Sequence, residues 1–318
     1  MSDLPKSIAI VEEGVREGCQ IQNPPIPTAD KLELIAALSE TGLKRIQVAS
    51  MVNPQRVPGW ADVEEVLERL PAPPEGVSYS AIWLNERGFD RAWQFRDKLT
   101  FGGAYSGCAS ETFMVRNQNR TVEQNLADQH ERLRSYSDRG IPITMVGLMA
   151  AFGCNFEGDV PPARAIEVLR GLMDLADETG QTIDTIVLAD TMAWATPFTI
   201  KTMVGKVRDL WPNVAISLHL HDTRGMGIAN AFAGLEMGVA KFDASVAGLG
   251  GCPFAGHVGA AGNVCTEDLV FLAHEAGIET GVDLDKLIEV ALMAERIFGR
   301  ALPGSVMRGG SLDRFRKT

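Results

Sequence analysis

The stretch "ISLHLHDTRG", Ile216 to Gly225, ends an apolar run with two histidines one residue apart. In a strand, residues two apart share a face, so His219 and His221 direct both imidazoles to the same side. The stretch "TRGMGIANAFAGLEMG" follows at once with helical spacing and stops at Gly238, so the unit reads as strand then helix. The same alternation runs outward in both directions. Strands are expected at residues 7–11, 45–49, 77–82, 99–103, 142–148, 185–188, 215–220 and 241–245. Between them lie amphipathic segments such as "TADKLELIAALSETG", in which Thr28 can cap the start and Gly42 the end. Eight repeats of strand and helix predict an α/β fold of the TIM-barrel type, a closed parallel (β/α)8 sheet, with an open doubly wound sheet as the alternative. The Pro-rich "LPAPPEG" is short enough for a loop and no low-complexity linker divides the chain. A single catalytic domain is therefore expected over 1–318, with its core at about 7–300 and a short C-terminal extension at 301–318.

Composition bounds the partners. A chain of 318 residues with 45% hydrophobic content can bury a sizeable core, and its formal charge of −11 argues against nucleic acid or an anionic membrane as partner. Apolar "SIAIV" follows the start within a few residues, no apolar run approaches the ~20 residues of a membrane span, and a cytoplasmic location is expected. Five scattered cysteines, Cys19, Cys108, Cys154, Cys252 and Cys265, read as thiols.

In such a barrel the active site lies at the C-terminal strand ends, and the residues expected there are polar. Arg16 and Glu17 follow strand one, Gln47 lies in strand two, Asn85 follows strand three, Ser110 and Glu111 strand four, and Asp190 and Thr191 strand six. After strand eight, "AGLGGCPFAGHVGAAGN" holds Cys252 and closes on Asn263. Asp190 stands open between helix capping and a place beside substrate, whereas capping is the simpler role for Thr191 and Thr223. Loop polarity alone accounts for part of this set. It does not account for two imidazoles on one face, which repel if protonated and which one divalent cation satisfies together. Glu17 and Asn263, from neighbouring strand ends, are the further candidate ligands. Such a nitrogen and oxygen set suits Mg²⁺ or Mn²⁺ better than a closed structural zinc. Arg16 either pairs with Glu13 or Glu17 at the surface or stands beside the metal to hold a carbonyl or enolate oxygen. The glycine-rich loop reads as a mobile lid carrying Cys252, which is otherwise a small packing residue.

At these residues the chain resembles the 3-hydroxy-3-methylglutaryl-CoA lyase family of metal-dependent lyase and Claisen-condensation barrels. The resemblance spans nearly the whole chain and is carried by "HLHDTRGMGIANAFAGLEMGV", "DASVAGLGGCPFA", "AGNVCTEDLVFLAHEAGIETGVDL", "EEGVREGCQIQ", "CASETFMVRNQNRTVEQ" and "FGCNFEG". It implies metal ligation by Glu17, His219, His221 and Asn263, enolate stabilisation by Arg16, proton transfer by Cys252 and, through its other ring nitrogen, by His219. It also implies an acyl-CoA thioester substrate, cleaved to an acyl-CoA and a keto acid, and a homodimer or higher oligomer. Several residues depart from the family pattern. Glu17 stands where aspartate is usual, Gln47 where glutamate is, and Arg224 where tyrosine is. Ala193 and Trp194 replace smaller residues, and the segment from Cys252 to Asn263, with His257, is longer than usual. Together these changes point toward a substrate with a different acyl or acid portion. A Claisen-type synthase and a non-catalytic metal- and CoA-binding barrel are the alternatives.

Overall fold

The computed structural model describes residues 4–250 and 262–316, which fall into two compact units, one of residues 6–100, 243–250 and 262–316 and the other of residues 4–5 and 101–242. The first unit opens with β1 (Ala9–Glu12), α1 (Gly14–Gln20), α2 (Thr28–Ser39), β2 (Arg45–Ser50), α3 (Val63–Arg69), β3 (Ser78–Ile82) and α4 (Glu86–Trp93). Its strands pair in parallel, Val11 beside Arg45 and Arg45 beside Ser78, with a register irregularity between Gln47 and Ala49.

The second unit holds β4 (Gly103–Cys108), α5 (Glu111–Gln118), α6 (Val122–Asp138), β5 (Ile143–Met149), the short hairpin β6 (Gly153–Cys154) and β7 (Gly158–Asp159), α7 (Pro162–Glu178), β8 (Thr185–Asp190), α8 (Pro197–Leu210), β9 (Ala215–Leu220) and α9 (Gly227–Glu236). Here β4, β5, β8 and β9 pair in parallel in that order. The strand β10 (Lys241–Ala244) follows, and then α10 (Thr266–Glu275), α11 (Leu284–Phe298) and α12 (Val306–Gly309). The described residues thus carry eight parallel strands of an α/β fold plus the two-stranded hairpin.

The strands are buried by their own composition. Ile186, Leu188, Leu218 and Leu220 are essentially inaccessible, as in parallel sheets covered on both faces. On β9 the buried Leu218 and Leu220 alternate with His219, which is only partly covered. That alternation gives the imidazole face its direction.

Seven of the eight strands fall where the sequence places them, within a residue or two at their ends. Strand four does not. Of the expected segment 99–103, Leu99 forms an isolated bridge to Tyr79 and only Gly103 belongs to the strand, which runs Gly103–Cys108. Its sequence, "GAYSGC", is made of small residues apart from Tyr105 and so carries little β-propensity, whereas the apolar weight of "LTFG" lies just before it. Thr28 also differs from expectation. It is the first residue of α2 behind Pro27, which offers no side-chain cap, and its hydroxyl donates to Asp62 at 2.6 Å. The segment from residue 301 packs onto the first unit: Leu302 and Met307 are buried, and the Asp268 carboxylate accepts from the backbone N–H groups of Ser305 and Val306. Among the described residues no helix is long and apolar enough to cross a membrane.

Candidate active site

In the first unit, α1 begins two residues after β1 ends and carries Arg16 and Glu17. The carboxylate of Glu12 fixes that junction by accepting from the N–H of Gly14 at 2.7 Å, the N–H of Val246 at 2.9 Å and the hydroxyl of Thr266 at 2.5 Å. Burial nonetheless outweighs these donors and pushes the Glu12 carboxyl up to about 7.

Arg16 is 7% exposed, and three acceptors surround its guanidinium. Nε donates to Gln47 Oε1 at 2.5 Å, one terminal nitrogen to Glu17 Oε1 at 2.7 Å and the other to Glu13 Oε2 at 2.7 Å. Burial works against its charge, but the carboxylates of Glu13 and Glu17 outweigh that and hold the guanidinium ionised. The indole of Trp60 donates to the Arg16 carbonyl at 2.8 Å and anchors the backbone as well. The pairing with Glu13 and Glu17 that the sequence allowed is therefore real. It lies inside the protein, where a fixed ion cluster can act on substrate.

Asn263 joins the same group. Its amide nitrogen donates to Glu17 Oε2 at 3.0 Å and to Ser245 Oγ at 2.9 Å, so the amide orientation is set by two acceptors. The other end, Oδ1, is buried and has no hydrogen-bond partner among the described residues. A buried acceptor left so is costly, and a cation is one partner that relieves it. Gly250, at φ +111°, gives this carboxylate its room: a Cβ there would lie 2.7 Å from Glu17 Oε2.

In the second unit, His219 and His221 stand at the end of β9 with their Nε2 atoms 3.2 Å apart and ring centroids 5.1 Å apart. Two neutral rings can share one proton across that gap, and both lone pairs can equally face one cation. Asp190, at the end of β8, is 1% exposed and accepts from the N–H of Trp194 at 2.7 Å and of Ala195 at 3.1 Å. Burial raises its carboxyl to about 6, while the two N–H groups, His219 and Arg224 oppose the shift. The turn it organises includes Ala193 in the left-handed region at φ +55°. Trp194 donates from its indole to Asn155 Oδ1 at 2.7 Å, and the exposed Arg224 donates to the carbonyls of Met192 at 2.7 Å and Ala193 at 3.0 Å.

Other polar residues expected at strand ends turn out to serve the backbone. Asn85 accepts from Gly88 N and Ser110 from Phe113 N as helix caps, Asp222 accepts from Gly227 N, and Thr191 Oγ1 accepts from Ala150 N. Glu111 pairs with Arg164 at the surface. Cys252 and His257 lie outside the described residues. Cys19, Cys108, Cys154 and Cys265 are buried thiols, and burial pushes Cys19 and Cys108 up to about 12. Sequence reasoning missed Glu12, Trp60, Ser245 and Asn155. A carboxylate inside the apolar "AIVE" was the readable signal for Glu12, and the others carried none.

A family model described as HMGL-like matches residues 7–293. The mitochondrial hydroxymethylglutaryl-CoA lyase of Bos taurus is 39% identical over 286 residues, covering 90% of this chain and 84% of that protein. The cytoplasmic 3-hydroxy-3-methylglutaryl-CoA lyase of Mus musculus is 38% identical over 289 residues, covering 90% and 80%. Among solved structures, an HMG-CoA lyase from Acinetobacter baumannii in complex with coenzyme A and 3-methylmalate superposes with a TM-score of 0.86 at 32% identity, covering 98% of each chain. Fold and relatives together define an enzyme, a carbon–carbon lyase of a kind whose family depends on a divalent metal. This chain belongs to the HMGL-like family.

Proposed function

We propose that this protein cleaves 3-hydroxy-3-methylglutaryl-CoA, or a 3-hydroxy-acyl-CoA closely like it, to an acyl-CoA and a keto acid, with its eight strands closed as one (β/α)8 catalytic domain. The substrate follows the named relatives, and the cytoplasmic mouse lyase supports a cytoplasmic location. Within the chain, the reading rests on the buried Asn263 amide, whose nitrogen is committed to Glu17 and Ser245 while its oxygen has no partner among the described residues. Glu17, His219, His221 and Asn263 are the residues that would hold a divalent cation, Mg²⁺ or Mn²⁺ by the chemistry of two imidazoles, a carboxylate and an amide oxygen. When bound, the cation supplies Lewis acidity toward the substrate hydroxyl and a neighbouring carboxylate.

The remaining work belongs to the protein. Cleaving the C2–C3 bond removes the hydroxyl proton, turns that carbon into a ketone and moves the electron pair onto the thioester as an enolate. Arg16 is charged and fixed before substrate arrives, so stabilising the enolate oxygen requires no reorganisation of its guanidinium. His219 takes the hydroxyl proton at the ring nitrogen not given to the cation. Cys252, assigned by resemblance, returns a proton to the enolate carbon, and exclusion of water protects the enolate until then. Protein loaded with Mg²⁺ or Mn²⁺ is expected to form acyl-CoA and keto acid in equal amounts from 3-hydroxy-3-methylglutaryl-CoA. Condensation without cleavage would instead identify a synthase, and thioester binding without turnover a non-catalytic barrel.

A further inference from the structure

The geometry points to Arg224 as the residue that reads an anionic group of the substrate, a carboxylate of its acyl portion or a phosphate of its carrier. This rests on the lyase reading above. Exposed arginines ordinarily keep their rotamer freedom, and Arg224 does not. Its Nη1 is shared between the carbonyls of Met192 and Ala193, at 2.7 and 3.0 Å. Those carbonyls are themselves held, because the Asp190 carboxylate takes the N–H groups of Trp194 and Ala195 and Ala193 sits in the left-handed region.

Beneath the guanidinium, 5.7 Å away, lies the Trp194 ring. That ring is itself held in place. Asn155, in the β6–β7 turn, accepts from the indole N–H, and Gly153 leaves room only because it has no Cβ, which would stand 2.5 Å from the ring.

What remains of Arg224 is the edge formed by Nε and Nη2, which has no hydrogen bond among the described residues. That edge is the side-on fork that matches a carboxylate or phosphate with two parallel N–H donors. Two neutral carbonyls leave the charge whole, and the nearby Asp190 carboxylate is already committed to backbone donors. A preorganised cation three residues beyond His221, in a chain of net charge −11, is suited to a ligand rather than to the surface.

The test uses metal-loaded Arg224→Ala and Arg224→Lys with three thioesters of 3-hydroxy-3-methylglutaric acid: those of CoA, 3′-dephospho-CoA and pantetheine. Loss of a charge-assisted fork is expected to raise KM for the CoA thioester about tenfold or more in Arg224→Ala, the larger part of the loss falling on KM rather than kcat. Arg224→Lys recovers part of it, keeping charge without the fork. A penalty that disappears with the pantetheine thioester assigns the anion to the carrier, and an equal penalty on all three assigns it to the acyl portion. KM values within about twofold of the unsubstituted protein on all three overturn the proposal. Equilibrium affinities for the same thioesters, measured by calorimetry without added metal, are expected to weaken in parallel, and they read the loss independently of turnover. Failure of the unsubstituted protein to cleave any of them sinks the lyase reading instead.

Discussion

Arg16 and Gln47 meet through a hydrogen bond from Nε to Oε1 at 2.5 Å, which makes a neutral amide the third acceptor on a guanidinium that two carboxylates already hold. A glutamate in that place would make the local balance more negative. With glutamine, more of the positive charge is left for substrate.

Gln47→Ala removes that acceptor from a buried donor. The expected cost is about 1–3 kcal/mol of transition-state binding, or roughly five- to 150-fold in kcat/KM, measured with the CoA thioester. Gln47→Glu keeps the acceptor and adds charge. It is expected to lose least, or to gain, on 3-hydroxy-3-methylglutaryl-CoA and to lose most on analogues with a further carboxylate. Equal effects on both substrates would show that position 47 does not set specificity.

His221→Ala is expected to abolish stoichiometric Mn²⁺ binding while leaving the fold intact, since it removes one of the two imidazoles of the proposed four-ligand set, whose Nε2 atom stands 3.2 Å from that of His219. Elemental analysis after gel filtration reads the metal and circular dichroism the fold. Retained stoichiometric metal would remove His221 from the ligand set.

Cys252→Ser separates proton transfer from metal binding. Turnover should fall by about a hundredfold or more while metal content and thioester affinity stay close to those of the unsubstituted protein. Equal loss of all three would remove the cysteine from the proton-transfer step.

The buried carboxyls make a prediction about pH. Glu12 is raised from 4.5 to about 7 and Glu267 from 4.5 to about 8, in both cases mainly by burial. Between the unfolded and folded values the folded protein binds more protons, so the contribution of both groups to stability is complete below about 4.5 and falls as pH rises to about 7 and 8. Thermal melting from pH 5 to pH 8 should show that decline, and Glu267→Gln, which stays neutral, should flatten it. An unchanged slope in the variant would assign the decline to other groups.

Gly153→Ala forces a methyl group against the Trp194 ring, where the Cβ would stand 2.5 Å away. Overpacking of that kind costs about 1–3 kcal/mol, readable as a lower denaturation midpoint. Gly153→Ala combined with Trp194→Val should restore most of it.

How much of this was legible in the sequence depended on whether a residue's role is local. His219 and His221 could be paired from spacing alone, because the two-residue period of a strand is a local rule. The strand at Gly103–Cys108 was misplaced because its small residues are held by parallel neighbours rather than by their own propensity. The β6–β7 hairpin went unread for a similar reason: it is only two residues deep on each side and built around an Asn-Phe-Glu turn. Arg16 could be read as surface pair or catalytic group, since pairing follows from spacing and burial does not. Asp190 reads as a cap or as a group beside substrate; its carboxylate accepts from Trp194 and Ala195 in the turn before α8, whose own N-cap is Thr196.

The carboxylate of Glu12 binds backbone or hydroxyl groups at positions 14, 246 and 266, so one side chain near the beginning of the chain depends on partners 234 and 254 residues downstream. On the ribosome those partners emerge late. The turn that carries Arg16 therefore stays loosely held through most of synthesis, and a nascent chain halted before residue 246 lacks the clasp that sets the arginine in place.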